Sequence, residues 1–416
     1  MYAVTGTNGK TSTVDFIRQI CCNNNIYSAS IGTLGTIISD NHPEKDKIES
    51  ELLKSGLTTP EVNIVYKNLA TLKKYNINNV AIEASSIGIE QGRLADIRFR
   101  IVIFTNFSQD HLDYHGNLES YFKAKLQIFS TRSLELKFAV INCDLKEYER
   151  IAECAKANSF NIVNFGYDAV GIKNNIQINL ITNTNKGQKV LVTAMSNNIE
   201  FETKILGNFQ IYNMIGALIA VSIFNSFSKK LFLENIPNLS NLKPIIGRME
   251  FVANVNKAKI FIDYAHTPDA LEKSIDLLID YRKNIKATKN IKIIIVFGCG
   301  GNRDAQKRPL MGKIAVDKAD IVIVTDDNPR NENAGEIRKD IISGCSASDK
   351  LIEIPNRKNA IIEAIKMLKE SDILLIAGKG HEKYQIIGNR SYKFDEREIV
   401  AKAIKDMSKR KSNVLS

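Results

Sequence analysis

The chain has 416 residues, 44% of them hydrophobic and 25% charged, enough to bury the cores of two or three domains and far from the composition of a disordered or fibrous protein. Its longest apolar runs, residues 291–297 and 373–377, are strand-length and exclude a membrane-spanning helix, and no charged-then-apolar leader precedes Thr5. The net charge of +11 comes from lysines scattered among acids rather than gathered with aromatics in one stripe, which argues against nucleic acid and leaves anionic small substrates as partners.

The first predicted element is a short strand ending at Val4. It runs into Thr5-Gly6-Thr7-Asn8-Gly9-Lys10-Thr11-Ser12 and then a helix over residues 13–22. A glycine-rich turn between a strand and a helix aims backbone N–H groups at phosphate. In such a loop Lys10 meets the β- and γ-phosphates and Thr11 meets Mg²⁺, so Gly6 to Ser12 read as an ATP site. Val4 stands where the general pattern has glycine, and a Gly/Asn turn capping a core helix reads the same way over this segment alone.

Up to about residue 240, strand-like runs (80–83, 101–105, 138–142) alternate with helical ones (61–75, 118–129, 208–224). That alternation predicts a mainly parallel sheet covered by helices. Residues 161–205 hold short alternating segments and read as an antiparallel insertion or edge. A second alternating unit starts near Lys243, with strands at 260–263, 291–297, 321–325 and 372–377 and helices at 268–281, 309–319 and 357–370, the pattern of a doubly wound sheet. Residues 237–247, with Pro237 and Pro244, are the predicted hinge, giving domains 1–242 and 243–416. Cys21, Cys22, Cys143, Cys154, Cys299 and Cys345 show no metal or disulfide spacing and read as reduced core thiols of a cytoplasmic protein.

The chemistry-bearing residues fall at strand ends. Glu83 closes the 80–83 strand, and His111 follows the 101–105 strand in Ser108-Gln109-Asp110-His111-Leu112, so both can approach the phosphates. A carboxylate suits Mg²⁺ and histidine less so; capping roles for both remain open. Lys125 sits among Phe122, Leu126 and Phe129 on a helix. A lysine held against apolar neighbours loses its proton more readily and can then take up CO₂ as a carbamate, an anionic oxygen ligand, although composition alone favours a solvated surface lysine. In the second unit, Arg248 lies just after the hinge, Asp263 and His266 end a strand, and Arg303, Asp327-Asn328-Pro329-Arg330 and Gly378-Lys379-Gly380-His381-Glu382 follow further strands, so that Arg303, Asn328, Arg330 and Glu382 converge on one sheet edge. That pocket suits a ligand with carboxylates and amines; each loop alone reads equally as turn chemistry.

Taken in order, Gly6-Thr7-Asn8-Gly9-Lys10-Thr11-Ser12, Leu57-Thr58-Thr59-Pro60, Asp263-Tyr264-Ala265-His266-Thr267-Pro268-Asp269 and Asp327-Asn328-Pro329-Arg330 resemble the Mur ligase family over essentially the whole chain. The resemblance implies an α/β fold with a central P-loop ATPase-like, mainly parallel sheet and a C-terminal doubly wound, Rossmann-like domain. It implies an ATP-dependent ligase of peptidoglycan synthesis, with Mg²⁺ as cofactor. ATP would phosphorylate the D-glutamate carboxylate of UDP-N-acetylmuramoyl-L-alanyl-D-glutamate, and the amine of meso-2,6-diaminopimelate would attack the acyl phosphate. By matching position, Thr11, Glu83, His111 and carbamylated Lys125 are implied metal ligands. Lys10 with Lys125, Glu83 and His111 form the implied catalytic set, and Asn213, Arg248, Asp263 and His266 contact the nucleotide. Thr58, Thr59, Ser85, Gln91 and Arg93 match positions on the muramoyl dipeptide, and Arg303, Asp327, Asn328, Arg330, Gly378 and Glu382 match the diaminopimelate pocket.

Three departures qualify the match. The family's N-terminal domain, which grips the uridine diphosphate ahead of the phosphate loop, is absent from this sequence, and a separate chain could supply it. Ile87 replaces the usual histidine after Ser85-Ser86, and Gln210 replaces an asparagine. Two other readings stay open: a truncated, non-catalytic nucleotide-binding remnant, and a ligase like folylpolyglutamate synthetase.

Overall fold

The computed structural model describes residues 1–130, 136–167, 176–184, 187–285, 291–346 and 349–414. They form two compact units, Met1–Lys243 and Pro244–Ser416. No helix among the described residues is long and apolar enough to cross a membrane.

In the first unit the strands are β1 (Tyr2–Thr5), β2 (Ser28–Gly32), β3 (Gly35–Ile38), β4 (Asn79–Glu83), β5 (Ile101–Phe104), β6 (Lys137–Asn142), β7 (Phe160–Gly166), β8 (Ile176–Thr184), β9 (Gly187–Ala194) and β10 (Asn197–Thr203). Among the described residues they make one sheet ordered β10-β9-β8-β7-β6-β5-β1-β4-β2-β3. Strand β1 is buried along its whole length, as expected of a central parallel strand covered on both faces. It pairs in parallel with β4, Val4 opposite Glu83, and with β5, Thr5 opposite Phe104. The phosphate loop, Glu83 and residues 105–115 therefore leave the sheet at one carboxyl edge.

The predicted antiparallel region is the outer meander β8-β9-β10, joined in parallel to β7. Helix Asn208–Phe224 is buried nearly all round and packs on helix Lys10–Asn23. Its burial fixes the height of Asn213 beside the phosphate loop. The division between the units, at Lys243–Pro244, falls within the expected segment 237–247, whose first residue, Pro237, lies inside helix Lys229–Asn238, one residue from the end, where the chain tightens into the 3₁₀ turn Leu239–Asn241. A proline there costs a single helical hydrogen bond at a point where the helix is already stopping.

The second unit contains β11 (Glu250–Val255), β12 (Ala258–Asp263), β13 (Ile293–Phe297), β14 (Ile321–Val324), β15 (Leu351–Glu353) and β16 (Ile373–Ala377). Their order is β11-β12-β16-β13-β14-β15, parallel except for β11. A hairpin of β17 (Tyr384–Ile387) and β18 (Arg390–Lys393) follows β16. Apolar runs in β12, β13, β14 and β16 are buried, Ile321 at the start of β14 only partly, with Ile361, Ile365 and Val400 of the covering helices. The connections that carry predicted site residues leave at the carboxyl ends of β12, β13, β14 and β16, and Arg248, just ahead of the antiparallel β11, enters at the same edge, Glu250 pairing with Ile262. The α/β fold with two sheets thus agrees with the sequence expectation.

Candidate active site

Gly9 caps helix Lys10–Asn23 with left-handed backbone (φ +83°) and no side chain, as only glycine does comfortably. A Cβ at Gly9 would come within 2.6 Å of the Asn213 Oδ1. Asn213 in turn donates its Nδ2 to Gln210 Oε1 at 3.1 Å, so Gln210 orients the amide that closes over the loop. Lys10 folds back, its Nζ donating to the carbonyls of Gly6 at 2.9 Å and Thr7 at 2.8 Å. The loop is gripped from the β5 edge. Asn8 N donates to Asn106 Oδ1 at 2.8 Å, Asn106 Nδ2 donates back to Asn8 O at 2.9 Å, and Tyr121 OH donates to Thr7 Oγ1 at 3.1 Å.

Glu83 ends β4 with 1% exposure and does not cap the turn that follows; Ser85 does that, accepting from Gly88 N. The Glu83 carboxylate instead receives the Thr11 hydroxyl at 3.0 Å, Thr33 N at 2.8 Å and the Thr33 hydroxyl at 3.2 Å. Thr33 also bonds Thr58, at 3.2 Å between the hydroxyls. Thr59 Oγ1 donates to Glu83 O at 2.8 Å and accepts from Ser85 N at 2.9 Å, while Arg93 donates to Thr59 O at 2.7 Å and to Gln91 Oε1. The five residues matched to the dipeptide are thereby linked to Glu83, Thr58 through Thr33 to its carboxylate and the other four through Thr59 to its backbone carbonyl.

Lys125 is 1% exposed, which rules out the solvated surface lysine. Its Nζ donates to Gly6 O at 2.9 Å and lies 4.4 Å from the centre of the Tyr121 ring. Burial first, then the charge of Lys10, pulls its pKa well below the ordinary lysine value, against the attraction of Asp110. The amine is therefore neutral far more readily than that of an exposed lysine. His111 has left-handed backbone (φ +53°) at the start of the short helix Leu112–His115, but its side chain makes no cap bond; its Nε2 lies 3.5 Å from Asp110 Oδ2. Burial lowers its pKa despite Asp110, leaving a neutral ring able to ligate. His115 is hydrogen-bonded to Ser86 at 2.9 Å, in the helix that carries Ile87.

No group of three or more His, Cys, Asp or Glu side chains suited to a metal occurs among the described residues. A cation here would draw on the Thr11 hydroxyl, the Glu83 carboxylate and oxygen ligands brought by phosphate or a carbamate, a donor set that suits a hard ion.

In the second unit the buried Asp263 carboxylate accepts from Met249 N at 2.6 Å and Ala265 N at 2.9 Å, so it braces the turn rather than facing outward. Arg248 stacks 4.5 Å from the Tyr264 ring centre, and His266 lies edge-on to the same ring at 4.6 Å. This gives a cationic and aromatic wall. Asn328 Nδ2 donates to Glu382 Oε2 at 2.9 Å, and the fully buried Lys379 donates to Asn328 Oδ1 at 2.9 Å and to Glu382 Oε2 at 3.0 Å. Arg330, half-buried and with left-handed backbone (φ +51°), donates to Gly301 O at 2.9 Å. Burial and the neighbouring Arg303 lower its pKa, as expected where two guanidinium groups face one space. Two cations beside Asp327 and Glu382 can receive a carboxylate and an ammonium group of one ligand.

Sequence reasoning gave Lys379 no role within its motif and missed Thr33, Tyr121 and Gln385, whose Nε2 donates to Asp327 O at 2.6 Å. Thr33 and Gln385 lie in segments with no motif. The one available signal was the Tyr121 hydroxyl on an apolar helix face, since a buried phenol seeks a partner.

Two family matches cover most of the chain: the Mur ligase middle domain over residues 4–221, and the Mur ligase, glutamate ligase domain over residues 247–380. A UDP-N-acetylmuramoyl-L-alanyl-D-glutamate–2,6-diaminopimelate ligase of Rickettsia bellii is 44% identical over 401 residues, spanning 96% of this chain and 80% of that protein. A solved structure of a ligase with the same name is 32% identical, with a TM-score of 0.63 over 98% of this chain and 78% of that one. The folylpolyglutamate synthase of Mycobacterium tuberculosis, solved with ADP, has a TM-score of 0.68 at 16% identity over 91% of this chain and 87% of that one, a likeness of fold.

Proposed function

The chain belongs to the Mur ligase family, and on that premise we propose that it is the ATP-dependent ligase that joins meso-2,6-diaminopimelate to UDP-N-acetylmuramoyl-L-alanyl-D-glutamate in peptidoglycan synthesis. The observation that carries this reading is the 44% identity to a 2,6-diaminopimelate ligase across 96% of the chain. The 16% likeness to folylpolyglutamate synthase supports no change of reaction.

In this reading residues 1–242 bind ATP and the acyl substrate, residues 243–416 bind the acceptor, and the reaction runs in the cytoplasm. The γ-phosphoryl group passes to a D-glutamate carboxylate oxygen, releasing ADP. The acceptor amine then attacks the acyl carbon, phosphate leaves, and the amine loses a proton. No side chain acts as nucleophile. Lys10 and the N–H groups of the phosphate loop neutralise the phosphoryl oxygens, while Thr58, Thr59, Ser85, Gln91 and Arg93 hold the dipeptide so that its carboxylate stays aligned. Asn213, Arg248 and His266 are assigned to the nucleotide, with Asp263 bracing the turn that leads into His266. Thr11, Glu83, His111 and Lys125 as its carbamate would hold Mg²⁺, which when bound offsets charge on the transferring group. Arg303 and Arg330 would take the distal carboxylate of diaminopimelate, and Asp327, Asn328, Gly378 and Glu382 its amino-acid end.

The test supplies the chain with ATP, Mg²⁺, the UDP-linked dipeptide and meso-diaminopimelate, and follows ADP release and product mass. Diaminopimelate-dependent tripeptide supports the proposal. Binding of Mg-ATP with no product at any substrate concentration would favour a nucleotide-binding remnant instead.

A further inference from the structure

Arg357 breaks two local rules at once. It opens helix Arg357–Met367, the end where the helix dipole disfavours a cation, and its side chain is fully buried. Its partners explain the placement. Nε donates to Glu396 Oε1 at 2.7 Å, Nη2 donates to Ala377 O at 2.7 Å, at the carboxyl end of β16, and Nη2 also lies 2.7 Å from Glu396 Oε1 as an ion pair. Glu396 is fully buried too. Nη1 points toward Asp327 Oδ2 at 3.9 Å, beyond hydrogen-bond length.

Asp327 is otherwise tied down: its Oδ1 accepts from Asn328 N at 2.7 Å and its carbonyl from Gln385 at 2.6 Å. Oδ2 of Asp327, Nη1 of Arg357 and Oε2 of Glu396 are buried with no hydrogen-bond partner among the described residues. Three unmatched polar atoms in one charged cluster are costly, so the arrangement serves something other than fold stability. Gly378 keeps the space open: its φ is +114°, and a Cβ would lie 2.9 Å from Asp327 Oδ2.

We propose that Arg357 and Glu396 are positioning residues of the acceptor site, a buried ion pair that aims the Asp327 carboxylate, and with it the loop through Arg330, at the acceptor's ammonium group. The inference rests on the reading of residues 327–330 as the acceptor site. Apolar residues fill such a volume with similar or better stability. What they cannot do is set the potential at Asp327 Oδ2. Lys379 and Arg357 hold the Asp327 carboxyl below its ordinary pKa although burial alone would raise it, so it stays charged to receive a cation.

The experiment compares wild type, Arg357→Lys and the double variant Arg357→Met with Glu396→Leu. The double variant should melt cooperatively near the wild-type temperature. Its KM for meso-diaminopimelate should rise about tenfold or more, with KM for ATP and kcat at saturating acceptor changed by less than about twofold. Arg357→Lys, which cannot reach Glu396, Ala377 and Asp327 together, should shift the same constant in the same direction. A folded double variant with an unchanged KM for the acceptor overturns the proposal, and so does one that fails to fold, since the pair would then be serving stability. Wild type that uses L-lysine as well as meso-diaminopimelate would instead remove the acceptor-site reading itself, so the two failures are told apart before any variant is made.

Discussion

The side-chain nitrogens of Lys10 and Lys125 reach the same oxygen, each lying 2.9 Å from the carbonyl of Gly6. Two ammonium groups on one carbonyl in a buried site repel strongly. The arrangement is stable when Lys10 keeps its proton for phosphate and the fully buried Lys125 gives its proton up. Burial first, and then the charge of Lys10, thus make Lys125 the reactive amine of the pair.

That division has a pH signature. The Lys125 pKa lies well below the ordinary lysine value in the folded protein, by burial and then by Lys10, and near ~10.4 in the unfolded chain. Between the folded and unfolded values the unfolded state binds a proton that the folded state does not, so stability rises with pH there. The contribution is complete above the unfolded value and is lost as pH falls toward the folded one. Lys125→Met should flatten the rise and be the more stable protein at neutral pH in CO₂-free buffer. Urea unfolding of both proteins from neutral to alkaline pH checks this, and parallel profiles would contradict a neutral amine.

A carbamate on Lys125 should be essential for turnover. Lys125→Ala is expected to lower kcat on the order of 10³-fold, and an added short-chain carboxylic acid should restore part of it by supplying the missing oxygen ligand. Mass spectrometry showing an unmodified Lys125 in the active, metal-loaded enzyme would refute this.

The wild-type enzyme should prefer meso-diaminopimelate to L-lysine by at least ~10² in kcat/KM, because lysine leaves Arg303 and Arg330 without a carboxylate. Arg330→Ala should erase most of that ratio, chiefly through the KM for diaminopimelate. Steady-state rates with each amine decide it.

Gly9→Ala should weaken Mg-ATP. The left-handed backbone costs an alanine ~1–2 kcal/mol, and its Cβ would meet Asn213 Oδ1 at 2.6 Å. Calorimetric titration should show roughly tenfold lower affinity, and equal affinity would mean that Asn213 can withdraw freely.

Much of this was readable from residue order, because strand ends and phosphate loops are local patterns. Glu83 was expected at the end of a strand beside the loop and is there, bonded to Thr11. Lys125 was harder: composition alone places lysines outside, and only its apolar neighbours hinted otherwise. Contacts between distant segments left no trace. Thr33 meets Glu83 across 50 positions and Tyr121 meets Thr7 across 114, each depending on strand order rather than on any motif. Arg357 was invisible because a cation at a helix N-terminus reads as solvated surface. Of the two prolines in the expected hinge, Pro244 opens the second unit, whereas Pro237 marks only the last turn of a helix.

Strand β1 has a consequence for how the protein is made. It lies between β5 and β4, so residues 2–5 can find both neighbours only after residue 104 has left the ribosome. The side chains that grip the loop, Asn106, Tyr121 and Lys125, come later still. Such non-local closure is slow relative to helix formation, so the nucleotide pocket is among the last features of its unit to mature, and ATP cannot template the early steps. Nucleotide should therefore slow unfolding of the finished protein while leaving its refolding rate nearly unchanged.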